Sequence, residues 1–267
     1  MEKIYYFCSM IFYFSATGNT RWAVQKICEA TGEKSFFIPN MEKEDCVYSL
    51  EKDEYLGFCF PVHGWRPPKN VRKFIKQLTI EQANNNYCFA LCTAGDNIGE
   101  TMDIFRQDLA EREIHLNAAF SLIMPESYVG LPFMDVDNPA KEKEKKAKAN
   151  EVLECCIQDI IQRKNGVERL VIGNWPRINS RVLGGYFINH LITDKKFHVK
   201  EEQCVKCGTC VSVCPIGNMD GGKSILPSWK HTGDCLTCFA CYHHCPQHAI
   251  EFGRQTKKKG QYYYKKE

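Results

Sequence analysis

Several absences narrow the reading of this chain. The apolar run at its start, Ile4 to Phe14, is eleven residues long and has no small-residue cleavage site. It is too short to cross a bilayer and does not read as a secretion signal. Neither charge sign dominates: 35 Lys and Arg face 32 Asp and Glu, a formal charge of +3. Nothing resembles a DNA-binding module, and no acid, base or nucleophile constellation marks a particular substrate. The expectations are therefore no membrane span, no nucleic acid and a reducing, cytoplasmic setting.

Cysteine is plentiful, with sixteen in 267 residues. Cys204, Cys207, Cys210 and Cys214 read C-x2-C-x2-C-x3-C-P, closed by Pro215. The pattern returns 31 residues later at Cys235, Cys238, Cys241 and Cys245, closed by Pro246. Disulfide frameworks belong to short secreted chains, and zinc pairs are usually farther apart. This compressed spacing suits four soft thiolates around a cubane of iron and sulfide. Three thiolates of each run hold one cluster and the fourth crosses to the other. On that rule one cluster takes Cys204, Cys207, Cys210 and Cys245, and the other Cys235, Cys238, Cys241 and Cys214. An oxidised cluster with four thiolates carries about −2, so two of them bring the formal charge to about −1.

Outside the runs, Cys8, Cys59, Cys88 and Cys92 lie in apolar strand-like stretches and read as small core residues. Cys155 and Cys156 sit on a predicted helix without evident chemistry. Lysines gather at 141–148 and at Lys257, Lys258, Lys259, Lys265 and Lys266, and read as solvated faces; the tail could steer an acidic partner. Gly217–Ser224, GNMDGGKS, spells a phosphate-loop pattern, but it follows a cysteine loop and Pro227 comes soon after. A glycine-rich turn is the better reading, and nucleotide hydrolysis is rejected.

The first half alternates strand and helix. Strand-like runs are Ser9–Phe14, Ser35–Ile38, Tyr55–Phe60, Tyr87–Thr93 and Ala118–Met124. Helical patterns are Arg21–Thr31, Lys69–Leu78, Ile98–Glu113 and Ala140–Lys164. The expected fold is α/β, a doubly wound five-stranded parallel sheet, with a small α+β cysteine-rich domain behind it. Ligands of such sheets bind beyond the carboxyl ends of the strands. There Ser15, Ala16, Thr17, Gly18, Asn19 and Thr20 form a hydroxyl- and glycine-rich turn into a helix, an anion site without a lysine. It suits a phosphate monoester, with a helix cap as the plain alternative. Loops after the third, fourth and fifth strands hold Val62-His63-Gly64-Trp65-Arg66, Thr93-Ala94-Gly95-Asp96 and Tyr128.

The cysteine segment, about residues 198–253, resembles the bacterial two-cluster ferredoxins, departing from their compact members in the insert Ile216–Gly233. The SATGNT turn with the HGW and TAGDN loops resembles the flavodoxins. Together the chain resembles the flavodoxin–ferredoxin fusions of anaerobic microbes. That resemblance implies FMN and two [4Fe–4S] clusters. It places the phosphate on residues 15–20, Trp65 against the flavin ring, the Gly64 carbonyl near N5 when the flavin is reduced, and the backbone of Thr93–Asp96 at the pyrimidine edge. The usual aromatic of the fourth-strand loop is missing, and Tyr128 is a candidate replacement. Trp65 could equally pack on Pro67 and Pro68, His63 is either a plain loop histidine or a proton donor, and Arg66 either neutralises the flavin or is a surface charge.

The expected layout is a flavodoxin-like domain over 1–164, a helical connector over 165–197, a ferredoxin domain over 198–256 and a basic tail over 257–267. In the connector Val182, Leu183, Tyr186, Phe187 and Leu191 recur at helical spacing, so one face should bury and dock the second domain. The expected function is single-electron transfer between FMN, the clusters and redox proteins. The alternative is a flavin-dependent oxidoreductase reducing a small molecule with electrons fed through the clusters. A redox sensor is a third reading.

Overall fold

The protein is described here from a computed structural model covering residues 10–41, 46–81 and 86–265. Cys8, Ser9 and Lys266 lie outside the described residues.

In chain order the first elements are β1 (Met10–Tyr13), α1 (Asn19–Thr31), β2 (Lys34–Phe37), α2 (Ile38–Met41), β3 (Val47–Ser49), β4 (Tyr55–Pro61) and α3 (Lys69–Gln77). Then come β5 (Thr79–Glu81), β6 (Tyr87–Ala94), α4 (Thr101–Ala110), β7 (Ala118–Ile123), α5 (Pro139–Ile161) and β8 (Val167–Arg169). The main sheet runs β2-β1-β4-β6-β7-β8, with every pairing parallel. Its first five strands follow the flavodoxin-like order, in which the chain reverses direction across the sheet beside β1. The expected count of five is corrected to six. Val167–Arg169, read as connector, is too short and charged to announce itself as a strand, but pairs with Ala118–Phe120. A second small pair, β3 with β5, was not foreseen.

Central β6 is buried along its whole length, as a strand covered on both faces must be. On one face Phe12, Phe58 and Phe60 pack with Phe74 of α3 and Phe105 of α4. The other carries Ile11, Phe89 and Phe120 under α1 and α5. Cys59, Cys88 and Cys92 are core residues on these faces. Arg72 of α3 grips Asp108 of α4 through two bonds of 2.6 and 2.7 Å.

The segment Ile178–Leu191 is helical but unevenly wound: π over Ile178–Leu183, one α turn α6 (Gly184–Tyr186), then π over Phe187–Leu191. Here a sequence expectation fails. Val182, Leu183 and Tyr186 are 63%, 49% and 58% exposed, whereas Ser180 and Gly184 point inward. Wider π winding shifts the phase of the helix, so an α-helical spacing names the wrong face. Ser180 Oγ accepts from the Glu100 N–H at 2.8 Å, and an added Cβ on Gly184 would stand 2.2 Å from the Gly64 carbonyl oxygen.

The remainder is β9 (Phe197–Val199), α7 (Thr209–Ser212), the hairpin β10 (Met219–Gly222) and β11 (Ile225–Trp229), α8 (Ala240–His243) and β12 (Ile250–Phe252). β9 and β12 pair antiparallel. Phe197, Trp229, Phe239, Tyr242 and Phe252 fill this part, and Val129 from the loop after β7 is buried among them. The GNMDGGKS stretch forms the hairpin, with no helix behind it.

The tail corrects another expectation in part: Lys257, Lys258 and Lys265 are exposed, as a solvated face requires, but Lys259 is not. Lys259 donates to the Val129 and Leu131 carbonyls, Tyr264 N–H donates to the Thr17 carbonyl at 2.7 Å, and Tyr262 Oη donates to Asn19 Oδ1 at 2.6 Å. Tyr264 stacks on Trp22, with Lys146 over its ring. Aromatic residues between the lysines thread the tail back over the first loop. Lys141 and Lys145 are likewise occupied, both by Asp137. No described helix is long and apolar enough to cross a membrane.

Tyr262→Phe keeps the ring but leaves the buried Asn19 oxygen without its donor, so it should cost about 1–3 kcal/mol in urea denaturation. A pH dependence also follows. Buried His243 is neutral, its Nε2 bonded to the Ser127 carbonyl at 2.6 Å while Nδ1 accepts the Tyr262 N–H at 3.1 Å. Burial holds both His243 and His63 down to about 4. The unfolded chain takes up these protons below about 6.5 and the folded one only near 4, so stability falls as pH drops through that window. His63→Asn should shallow that fall in denaturation midpoints measured from pH 7 to 4.

Candidate functional site

Loops following β1, β4, β6 and β7 leave the same sheet edge and enclose a cavity of about 250 Å³. Ser15, Ala16, Thr17, Asn19 and Thr20 line one end; Val62, His63, Gly64 and Trp65, then Thr93, Ala94, Gly95 and Asp96, line its flanks, with Tyr128 beyond. Every sequence candidate for the cofactor except Gly18 therefore faces one space. Gly18 lies behind the wall, left-handed at φ 99°, where an added Cβ would stand 2.9 Å from Tyr264 Cβ. Arg66 does not line the cavity, and among the described residues that do, none is a lysine or arginine.

The first loop is braced before it meets any ligand. Ser15 Oγ accepts the Arg21 N–H at 3.2 Å, Thr20 and Thr93 share a hydroxyl bond of 2.8 Å, and Asn19 Nδ2 donates to the Pro125 carbonyl at 3.1 Å. Asn19 and Thr20 thus hold the loop to the segment after β7 and to β6. The first N–H groups of α1 have no partners within the helix, whose first residues Asn19 and Thr20 line the same end of the cavity.

His63 and Arg66 exchange backbone bonds of 2.9 and 3.2 Å around Gly64 (φ 57°) and Trp65 (φ 56°), a tight turn with both central residues left-handed. Glycine adopts that conformation freely; tryptophan does so under strain. Trp65 is held by its Nε1–H to Asn97 Oδ1 at 2.8 Å. The Gly64 carbonyl faces Gly184, and Phe187 packs against the Gly64 Cα.

Three contributions were missed by sequence reasoning. Phe187 reaches the cavity from the connector and meets Tyr128 edge-on at 5.2 Å. Its helical spacing was seen, but its destination depends on tertiary contacts. Glu126 lines the cavity with Oε1 accepting the Ser127 and Tyr128 N–H groups at 2.9 and 2.8 Å. Burial pushes its carboxyl up from the usual range, against those two bonds and Lys145. Finally, Leu236, Thr237 and Cys238 of the second cysteine run form part of the wall.

Every described cysteine is free. Cys204, Cys207, Cys210 and Cys245 line one small cavity, and Cys210 feels the other three electrostatically. Cys241 likewise feels Cys214, Cys235 and Cys238, and Cys210 besides. Cys214 and Cys245 therefore cross, each to the set of the other run. Among the described residues no three Cys, His, Asp or Glu side chains converge as tightly as a single ion requires; a cubane, with thiolates on separate corners, is a wider body.

The two runs repeat in detail. Lys206 and Thr237, then Gly208 and Phe239, then Gly217 and His248 are left-handed at matching positions. Asn218 N–H donates to Cys214 Sγ and Ala249 N–H to Cys245 Sγ, both at 3.2 Å. One-turn helices α7 and α8 begin one residue before the third cysteine of each run. Thr237 Oγ1 bonds both the Thr193 N–H and its carbonyl, joining the second run to the connector.

Residues 196–246 match the family of 4Fe-4S dicluster domains. No curated protein matches the chain. A putative flavoprotein from Bacteroides uniformis is 13% identical, with a TM-score of 0.32, over 44% of this chain and 91% of its own. One from Bacteroides eggerthii is 15% identical, also at 0.32, over 54% and 97%. For rubredoxin oxygen:oxidoreductase from Desulfovibrio gigas the values are 13% and 0.31, over 57% of this chain and 36% of its own. Residues 196–246 are thus similar to 4Fe-4S dicluster domains, and they are joined to a sheet of flavodoxin-like order.

Proposed function

We propose that this protein is an electron-transfer iron–sulfur flavoprotein, with FMN in the cleft beyond the sheet, two [4Fe–4S] clusters on the eight motif cysteines, and a redox protein as partner. The observation that carries the reading is the crossing of the two runs: each set of four thiols takes three from one loop and the fourth from the other. Two adjacent cubanes account for that exchange together with the compressed C-x2-C-x2-C-x3-C-P spacing of each run. The layout proposed with it is a flavin-binding part over 1–164 and a cluster-binding part over 198–256.

The residues of the cleft fit FMN. Backbone N–H groups at the start of α1, with the Ser15 and Thr17 hydroxyls, would hold a phosphate without a cation. Trp65, Tyr128 and Phe187 supply apolar walls for a flat ring system. FMN, when bound, converts between two-electron and one-electron chemistry. The chain's share is to seat it, keep water from its apolar faces and fix its distance from the thiols. N–H bonds to Cys214 and Cys245 would lower the negative charge on those sulfurs and so tune the potentials.

Anaerobic reconstitution should give about eight irons and about one FMN per chain, with dithionite bleaching the iron–sulfur absorbance. Bound zinc would overturn the cluster half of the reading, and an empty cleft under excess FMN the flavin half.

A further inference from the structure

The two cysteine loops repeat in backbone but not in surroundings, and the difference falls at equivalent positions. Val205 is 61% exposed, while its counterpart Leu236 is 4% exposed. Lys206 is exposed and Thr237 buried; Cys207 is exposed, whereas Cys238 is shielded and lines the flavin cleft. The residues that cover the second loop are those of the joint. Tyr128 stands between Phe187 of the cleft and Phe239 of the loop, at 5.2 and 5.4 Å, both edge-on. Among the described residues nothing comparable covers the first loop, whose neighbour is the hairpin tip, with Ser224 N–H donating to the Lys206 carbonyl at 3.3 Å.

We infer that the two centres have a fixed order: the set Cys214, Cys235, Cys238 and Cys241 exchanges electrons with the cleft, and the set Cys204, Cys207, Cys210 and Cys245 is the port for a one-electron protein carrier. This rests on the proposed function, since it orders the centres that reading assigns. Tunnelling falls steeply with distance, so the set that shares a wall with the cleft outruns the other. The two sets are neighbours: Cys210 and Cys241 belong to one buried cluster and lie within electrostatic reach of one another. In one event a reduced carrier is oxidised by one electron and the port cluster is reduced. The port cluster is then reoxidised as the inner cluster is reduced, and the inner cluster is reoxidised as the flavin gains the electron. Two events, with two protons from water, complete the flavin's two-electron reduction, and no covalent bond within the clusters changes. The same sequence runs in reverse when the carrier is the oxidant.

The test uses the full-length, anaerobically reconstituted protein and two ligand variants, Cys207→Ser and Cys238→Ser. Serine ligation alters the spectrum and potential of its own cluster and so labels it. Microwave power saturation of the flavin's paramagnetic signal is then measured as each cluster is reduced. Faster relaxation should follow the cluster labelled by Cys238→Ser; relaxation that follows the one labelled by Cys207→Ser, or both equally, overturns the order. If a variant loses its cluster instead, loss at Cys238 should abolish the enhancement and loss at Cys207 should leave it; the converse overturns the order. Should Cys238→Ser not fold, a surface variant suffices. Val205→Glu at the port should lower the ratio of ferredoxin-driven to dithionite-driven reduction at least about fivefold, and an unchanged ratio overturns the port. Absence of iron or flavin from the unmodified protein would instead defeat the proposed function itself.

Discussion

Two contacts, one midway along the helical segment and one just past its end, set the distance between the cleft and the cysteine loops. Midway, Gly184 lies so close to the Gly64 carbonyl that no side chain fits between them. Past the end, Thr193 and Thr237 exchange two hydrogen bonds, and neighbouring Asp194 accepts from Asn218. The segment is thus pinned to the turn that carries Trp65 and to the loop that carries Cys238. The returning tail adds a third tie, through Thr17 and Asn19 on one side and His243 on the other. A loosely tethered module could not keep a loop of one part as a wall of the other's cleft.

The electrostatics of the cleft are as constrained as its shape. Its lining holds Asp96 and Glu126 but, among the described residues, no lysine or arginine. A flavin that gained net negative charge on reduction would find no compensating cation there, which favours a low potential. Lys145, the nearest such charge that the hydrogen bonds reveal, is turned to Asp137 and the Gly95 carbonyl at 2.6 and 2.7 Å. It braces the Thr93–Asp96 loop from outside.

How much of this was legible in the sequence depended on whether the signal was local. The cysteine spacing, the strand runs and the Ser15–Thr20 turn are local patterns, and of the cofactor candidates drawn from the sequence all but Gly18 line the cleft. β8 was missed because Val167–Arg169 is three residues long and becomes a strand only by pairing with β7. The inward face of the connector was misassigned because its pattern was taken at α-helical period, whereas most of the segment is π-wound. The tail was read by its lysines, while its tyrosines decide where it goes. Phe187, Glu126 and the Leu236–Cys238 wall are placed by contacts across the chain, which no periodicity encodes.

The repeat within the cysteine segment shows how one backbone serves two surroundings. The residue after the second cysteine is left-handed in both runs, Gly208 in the first and Phe239 in the second. Glycine is unstrained there, and in the first run its lack of a side chain also lets the hairpin approach, with an added Cβ on Gly208 only 3.1 Å from Gly222 Cα. Phenylalanine in that conformation costs about 1–3 kcal/mol. Burial of its ring against Tyr128, Phe197 and Phe252 supplies an offset of similar size, about 1.5–3 kcal/mol. The strain is therefore tolerable only where another part of the protein covers the ring, which is the side facing the cleft. At the outer loop the same residue would carry the strain with little burial in return, and glycine stands there instead.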